Sequence, residues 1–304
     1  MAGTLPRMGT DQGVVQPFTN FSAQTATWFC LAGTSAEANA CLPEREQLPL
    51  ARDDIDTIGV SGQQRTFTSL LRHMLRSEPL ERWWPTTQSL DLVQGTAPQV
   101  AAAVEAEVTR FVHGEKLTRA WCHYADLDAA FGATTEFSNV PTHFLVLPTH
   151  SDWTVLWNNS FLCDGYDSLC SCITANHGLT TVHWNAHDST TTTQPAAAFT
   201  HRTLVEATLV ERSVYAAKED GKWLFGEAGS PLPQEDVRSY LARNKRDRLN
   251  ESLMASLLER LGAAPWAEGF YALPEQPCYV LQRSAAPTTI IRRPRSTVVG
   301  MQDD

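Results

Sequence analysis

The sequence predicts an α+β fold, with a helical N-terminal part and a mixed or mostly antiparallel sheet flanked by helices in the C-terminal part. Three observations predict it. Apolar residues recur at helical spacing across residues 63–78 and 97–112. After about residue 115 the pattern changes to short apolar runs bounded by turn-forming residues, which read as strands. Asp220-Gly221 then stands between two alternating runs, the signal of a type I′ hairpin. The chain divides accordingly into a flexible N-terminus (1–20), a mainly helical region (21–115), an α+β main domain (116–284) and a flexible tail (285–304).

Each element has its own local reason. Residues 1–20 carry Gly3, Gly9, Gly13, Pro6 and Pro17 with little periodicity. Residues 21–60 read as irregular, with a short strand or helix near 25–32. In QQRTFTSLLRHMLRSE (63–78), Phe67, Leu70, Leu71, Met74 and Leu75 share a helical face, and Thr66 or Thr68 is a candidate N-cap. Trp83-Trp84-Pro85 reads as an anchored loop. In APQVAAAVEAEVTRFV (97–112), Val100, Val104, Val108 and Phe111 form one stripe, Pro98 opens the helix and Gly114 follows its end.

In the second part, LTRAWCHYA (117–125) fits a strand or a short helix, and DLDAAFG (126–132) a helical turn ending at Gly132. THFLVLP (142–148) and WTVLWNN (153–159) read as buried strands joined by a turn at His150-Ser151-Asp152. A helix over 164–177 would be opened by Asp164 or Asp167 and closed by Gly178. LTTVHWN (179–185) alternates like a strand. After the polar link DSTTTTQP come FTHRTLVEATLV (199–210) and the hairpin segment 212–229. PLPQED begins a helix to about Asn244, NESLMASLLERLG is a helix ending at Gly262, and PCYVLQRS (277–284) is the last strand. The tail, with Arg292, Arg293 and Arg295, reads as frayed.

Composition narrows the function classes. Hydrophobic residues are 42% of the 304, and nine Trp and twelve Phe supply bulk for a sizeable core. Charged residues are only 19%, which argues against widespread disorder. A net charge of -10 repels phosphate backbones, so nucleic-acid binding is not expected. The same charge serves solubility and would steer a basic protein partner. The seven cysteines are an odd number, no basic-then-apolar leader opens the chain, and no apolar run reaches the roughly 18 residues of a membrane span. The expectation is a cytoplasmic protein with free thiols and no membrane association. The sequons at Asn20 and Asn158 read as chance matches.

Ligand-type residues concentrate between His143 and His201. Six of the nine histidines lie there (His143, His150, His177, His183, His187 and His201), with Cys163, Cys170 and Cys172. A metal set would draw on His183, His187, Cys170 and Cys172, with zinc as the ion. On a strand, however, His183 and His187 stand about 13 Å apart, and no CxxC-like knuckle accompanies them. A catalytic set would use Cys163 as nucleophile at a strand-to-helix turn, His183 or His150 as base, and Asp152 or Asp188 as orienting group. The plain alternative is small apolar filling of a Trp-rich core. No G-x-S-x-G elbow, phosphate loop, dinucleotide fingerprint or EF-hand loop occurs, so no cofactor is implied. For protein binding, Trp153, Trp157, Tyr166, Asp164 and Asp167 offer aromatic anchors beside acidic groups. Trp153 and Trp157 share one strand side, which equally suits burial.

A further pattern lies in Lys222-Trp223-Leu224-Phe225, Gly229, Pro231-Leu232-Pro233 and Glu235. Tyr240, Arg243, Arg246-Asp247-Arg248 and Leu261-Gly262 continue it. Over about residues 205–262 the chain resembles a loose group of bacterial proteins without an assigned activity. The resemblance implies a bacterial cytoplasmic protein and carries no functional residue. Within it, Arg243, Arg246 and Arg248 suit ion pairing and helix capping, or an anion site. Taken together, the sequence points to a soluble protein-binding role, for example an immunity or antitoxin-type protein that neutralises a basic partner. A hydrolase or transferase with a Cys nucleophile and His base, or with a His/Cys metal site, is the alternative.

Overall fold

A computed structural model describes residues 80, 82–83, 86–111, 117–134, 136–162, 166–187, 196–284 and 290–298, all within a unit spanning Gly59–Asp304. The expected helix at 63–78 and the element near 25–32 lie outside these residues.

Strands come first, because they dominate. β1 (Ser89–Gln94), β2 (Leu117–Cys122), β4 (His143–Leu147), β5 (Trp153–Asn158), β6 (Thr181–His187), β7 (Ala196–Val205), β8 (Thr208–Glu219), β9 (Lys222–Ala228) and β10 (Cys278–Arg283) form one nine-stranded sheet. Its order is β2-β10-β4-β5-β1-β6-β7-β8-β9, and every neighbouring pair is antiparallel. A small second sheet pairs β3 (Glu136–Ser138) with β11 (Arg292–Pro294). The described helices are α1 (Ala97–Phe111), α2 (Leu127–Gly132), α3 (Asp167–His177) and α4 (Glu251–Arg260).

This arrangement overturns the expected fold class. In its described residues, the first part is not a helical region set before a separate sheet. It supplies β1, a strand at the centre of the sheet, and α1 lies on the sheet itself. In SLDLVQ, Leu90 and Leu92 face one side while Asp91 is buried on the other. A buried charge breaks the apolar run and makes the strand look like a loop in sequence.

Both faces of the sheet are covered. On one, Val93, Phe144, Val146, Leu156 and Leu281 meet Val100, Val104 and Val108 of α1 and Leu169 and Ile173 of α3. On the other, Leu92, Leu147, Trp153, Trp157, Val182 and Phe199 meet Phe131 of α2 and Met254, Leu257 and Leu258 of α4. Two-sided burial is why HFLVL and WTVLWN read as almost unbroken apolar runs. Trp157 sits among Phe131 and Phe137, with ring centroids at 5.2 and 6.0 Å, and its indole N–H donates to the Thr86 carbonyl at 3.0 Å. Burial and ring contacts of this kind are worth several kcal/mol per aromatic side chain, on the order of 3–5 kcal/mol when removed.

Turns are set by local chemistry. The β8–β9 turn places Asp220 and Gly221 at φ of 46° and 78°, as a type I′ turn requires. α3 ends on Gly178 at φ 70°, and Asn250 caps α4 by accepting the Leu253 N–H at 3.0 Å. The helix expected from residue 231 to about Asn244 does not form; short 3₁₀ turns at Ser239–Leu241 and Lys245–Asp247 stand there. Glu235 explains the difference. Its carboxylate folds the segment into a turn, accepting the Leu232 N–H at 2.8 Å while it binds the buried Arg212 guanidinium at 2.8 Å and the Tyr240 hydroxyl at 2.9 Å. Gly229 fits the same junction: at φ 79°, a Cβ there would fall 2.1 Å from the Glu211 carbonyl oxygen.

Candidate functional site

Two polar assemblies stand out, one buried beneath α3 and one open at the edge of the molecule. The buried one begins with the cross-strand pair Asp91 and His183, opposite each other on β1 and β6. Strand alternation turns both toward α3. The His183 Nδ1 lies 2.6 Å from the Asp91 carboxylate, and both side chains are at most 1% exposed. The other Asp91 oxygen accepts the Tyr166 N–H at 3.2 Å, at the start of α3, and the Cys170 thiol bonds to the same carboxylate. Asp167 then binds Arg202 through both carboxylate oxygens, at 2.6 and 2.9 Å, and Arg202 reaches Glu211 at 2.7 Å. Charge is thus handed in alternating sign from the sheet centre to the surface.

Electrostatics follow from that layout. Burial opposes a charged imidazole, but the Asp91 carboxylate, its hydrogen bond and Asp167 outweigh it, so His183 titrates above its ordinary value. Burial would also raise Asp167, yet His183 and Arg202 hold it below the usual carboxylate value. Burial, reinforced by Asp91 and Asp167, pushes the Cys170 thiol far up. A thiol held protonated in this way is not a nucleophile near neutral pH. Asn185, two residues along the same strand face, is buried with both amide atoms unpartnered among the described residues.

The open assembly is a polar cleft of about 310 Å³, lined among others by Glu136, Ser138, Thr142, His143, Asn159 and Arg292. Asn159, at the end of β5, is its fixed point. Its carbonyl oxygen accepts the backbone N–H groups of Thr142 and His143, both at 2.9 Å, which sets the amide orientation. Its NH2 therefore donates, to the Glu136 carbonyl at 3.0 Å and to the Thr142 hydroxyl at 2.9 Å. The Ser138 hydroxyl is already committed to the Val140 carbonyl at 2.7 Å. The Asn159 NH2, which can only donate, also stands 3.3 Å from His143 Nδ1 and makes that nitrogen the acceptor; the Thr142 hydroxyl lies 3.1 Å from the same atom. The His143 proton is then carried on Nε2, as a donor. Burial, helped by the Arg292 charge and opposed by Glu136, lowers the His143 pKa, which favours the neutral ring at pH 7. Arg292 pairs with Glu136 at 3.1 Å across β11 and β3, and both are more than half exposed. Gln282 and Arg283 of β10 complete a wall rich in donors.

The candidates from sequence are dispersed by this fold. His183 and Cys170 do meet, but through Asp91. Cys172 lies two residues further along α3, with Glu107 and Arg110 as its charged neighbours. His150 is in the β4–β5 turn, 3.8 Å from Glu275, and the Asp152 carbonyl in the same turn accepts the Gly95 N–H just beyond β1. Cys163, Asp164 and Asp188 lie outside the described residues, as does the side chain of His187. Among the described residues, no group of three or more His, Cys, Asp or Glu is placed to hold a metal ion. Trp153 and Trp157 are core, 5% and 1% exposed, with Trp153 donating to the Leu261 carbonyl at 2.8 Å. Tyr166 stacks on Phe144, and Asp167 belongs to the buried relay. Arg248 lies over the Phe225 ring and donates to the Ala242 carbonyl, while Arg246 pairs with its neighbour Asp247.

Asp91, Asn159, Thr142 and Arg292 escape sequence reasoning, because nothing in their linear spacing links them. Among the described residues no helix is long and apolar enough to cross a membrane. No family model, no curated protein and no solved structure matches the chain.

Proposed function

We propose that the protein binds a small anionic ligand, carrying a carboxylate or a phosphate, in the cleft between β3, β4, β10 and β11. The observation that carries this reading is the fixed donor face of His143 beside Arg292. A neutral imidazole donor next to a guanidinium suits an anion with two acceptor oxygens. The cleft volume lies at the lower end of small-molecule sites. In the free protein Glu136 occupies Arg292, and an exposed pair of this kind is worth no more than about 1 kcal/mol. A ligand oxyanion can therefore displace Glu136 at small cost.

Calorimetric titration with citrate and with inorganic phosphate, alongside a neutral polyol as control, tests the reading. Saturable binding of one anion is expected, weakened about tenfold or more in R292Q and in H143Q, consistent with the loss of one charge-assisted contact. E136Q should bind it more tightly. Absence of saturable anion binding, or binding that R292Q and H143Q leave unchanged, overturns the proposal.

A second reading, recognition of a basic protein, draws on the β7–β8 hairpin tip. Glu206 and Ala207 adopt φ of 50° and 63°, and Val205, Leu209 and Val210 are exposed beside them. Strained non-glycine turns flanked by exposed apolar residues are a feature of contact sites. Cross-linking with a basic partner that survives V205S/V210S unchanged would rule the tip out.

A further inference from the structure

Cys122 ends β2, an edge strand of the large sheet, and Cys278 begins β10, the strand beside it. The β2–β10 register sets these two residues directly opposite each other, so their side chains emerge on the same sheet face. Residues opposed in an antiparallel pair have Cα atoms about 4.5–5.5 Å apart, inside the roughly 4.4–6.8 Å that a disulfide spans. Both are free thiols. They differ in access: Cys122 is partly exposed, whereas Cys278 is fully buried.

We propose that Cys122 and Cys278 form an oxidisable dithiol that closes to a cross-strand disulfide by exchange with a low-molecular-weight disulfide. Cys122 reacts first. Its sulfur attacks one sulfur of the incoming RS–SR, giving Cys122–S–SR and releasing one RSH. The Cys278 sulfur then attacks Sγ of Cys122, the S–SR bond breaks, and the departing RS⁻ takes up the Cys278 proton as a second RSH. Two protein thiols are oxidised by two electrons and one external disulfide is reduced to two thiols. The order follows from access and from acidity. Burial, with Cys122 adding to it, pushes the Cys278 thiol up to about 12, so Cys278 is a poor first nucleophile and acts only once the mixed disulfide stands opposite it. The Tyr124 hydroxyl bonds to the Cys122 side chain and holds it at the strand end. The product ties the edge strand to its neighbour.

Full-length protein treated with oxidised glutathione, then alkylated under denaturing conditions and mapped by mass spectrometry, tests this. The expected product is a linked peptide pair carrying Cys122 and Cys278, lighter by two hydrogens, with neither residue alkylated. In C278S the reaction should stall as a glutathione adduct on Cys122, and in C122S Cys278 should stay alkylatable. The wild-type map decides the matter even if a variant fails to fold. Alkylation of both cysteines after oxidation, a persistent adduct on wild-type Cys122, or linkage of Cys122 to another cysteine overturns the proposal.

Discussion

Replacing Asp91 by Asn isolates the buried pair at the centre of the sheet. The Asp91 carboxylate accepts from His183 at 2.6 Å, from the Tyr166 N–H at 3.2 Å and from the Cys170 thiol. Asn has nearly the same volume, so packing is kept, but its NH2 faces donors. Breaking a buried pair by removing one charge costs about 3–5 kcal/mol. His183 relieves part of that by giving up its proton, which leaves an expected loss of about 3 kcal/mol at slightly acidic pH. The loss must also depend on pH in one direction. His183 has a folded pKa raised above the ordinary 6.5, so its contribution is complete below 6.5 and is lost as pH rises through the folded value. The gap between wild type and D91N should therefore be widest below 6.5 and shrink toward alkaline pH. His143 and His201 are both lowered by burial and act oppositely, losing stability as pH falls below 6.5. They are present in both proteins and cancel in the difference. Guanidinium unfolding followed by Trp fluorescence across a pH series measures it. A D91N cost under about 1 kcal/mol, or a gap that widens with pH, would refute the reasoning.

Two further predictions concern packing and backbone. W157A should cost about 3–5 kcal/mol through the cavity left among Phe131 and Phe137. W157F, which loses chiefly the hydrogen bond to Thr86, should cost about 1–2 kcal/mol; equal losses in the same unfolding assay would contradict the assigned contacts. Gly229 and Gly221 make a matched pair, at φ of 79° and 78°, but only Gly229 has backbone within reach of an added Cβ. G221A should cost about 1–2 kcal/mol for the left-handed backbone alone, and G229A clearly more. Similar unfolding midpoints for the two would show that the Glu211 carbonyl does not crowd the site.

Elements with a single dominant cause were legible in the sequence. β4 and β5 follow from their apolar runs, α1 from its Val stripe, and the β8–β9 turn from Asp-Gly. Elements whose cause lies elsewhere in the chain were not. β1 is disguised by Asp91, a charge tolerated there because His183, 92 positions away, pairs with it and the Tyr166 N–H and Cys170 thiol bond to it. The segment after residue 231 has helical composition, but Glu235 is drawn to Arg212 instead. The candidate cleft shows the same limit. His143 is visible as one histidine among several, yet its tautomer depends on Asn159 and Thr142, and Arg292 reads in sequence as part of a frayed tail. Cys122 and Cys278 become neighbours only through the register of β2 with β10.

That register has a bearing on how the chain is made. β10 lies between β2 and β4, two strands that emerge far earlier during synthesis. Until residues 278–283 leave the ribosome, β2 has nothing to pair with and the flank of β4 stands open. The growing chain must carry an unsatisfied strand edge through the production of β5 to β9. Completion of the sheet is therefore a late event of high sequence separation, which slows folding and leaves nascent chains exposed to mispairing. Release of the chain before β10 would cost the sheet two strands rather than one.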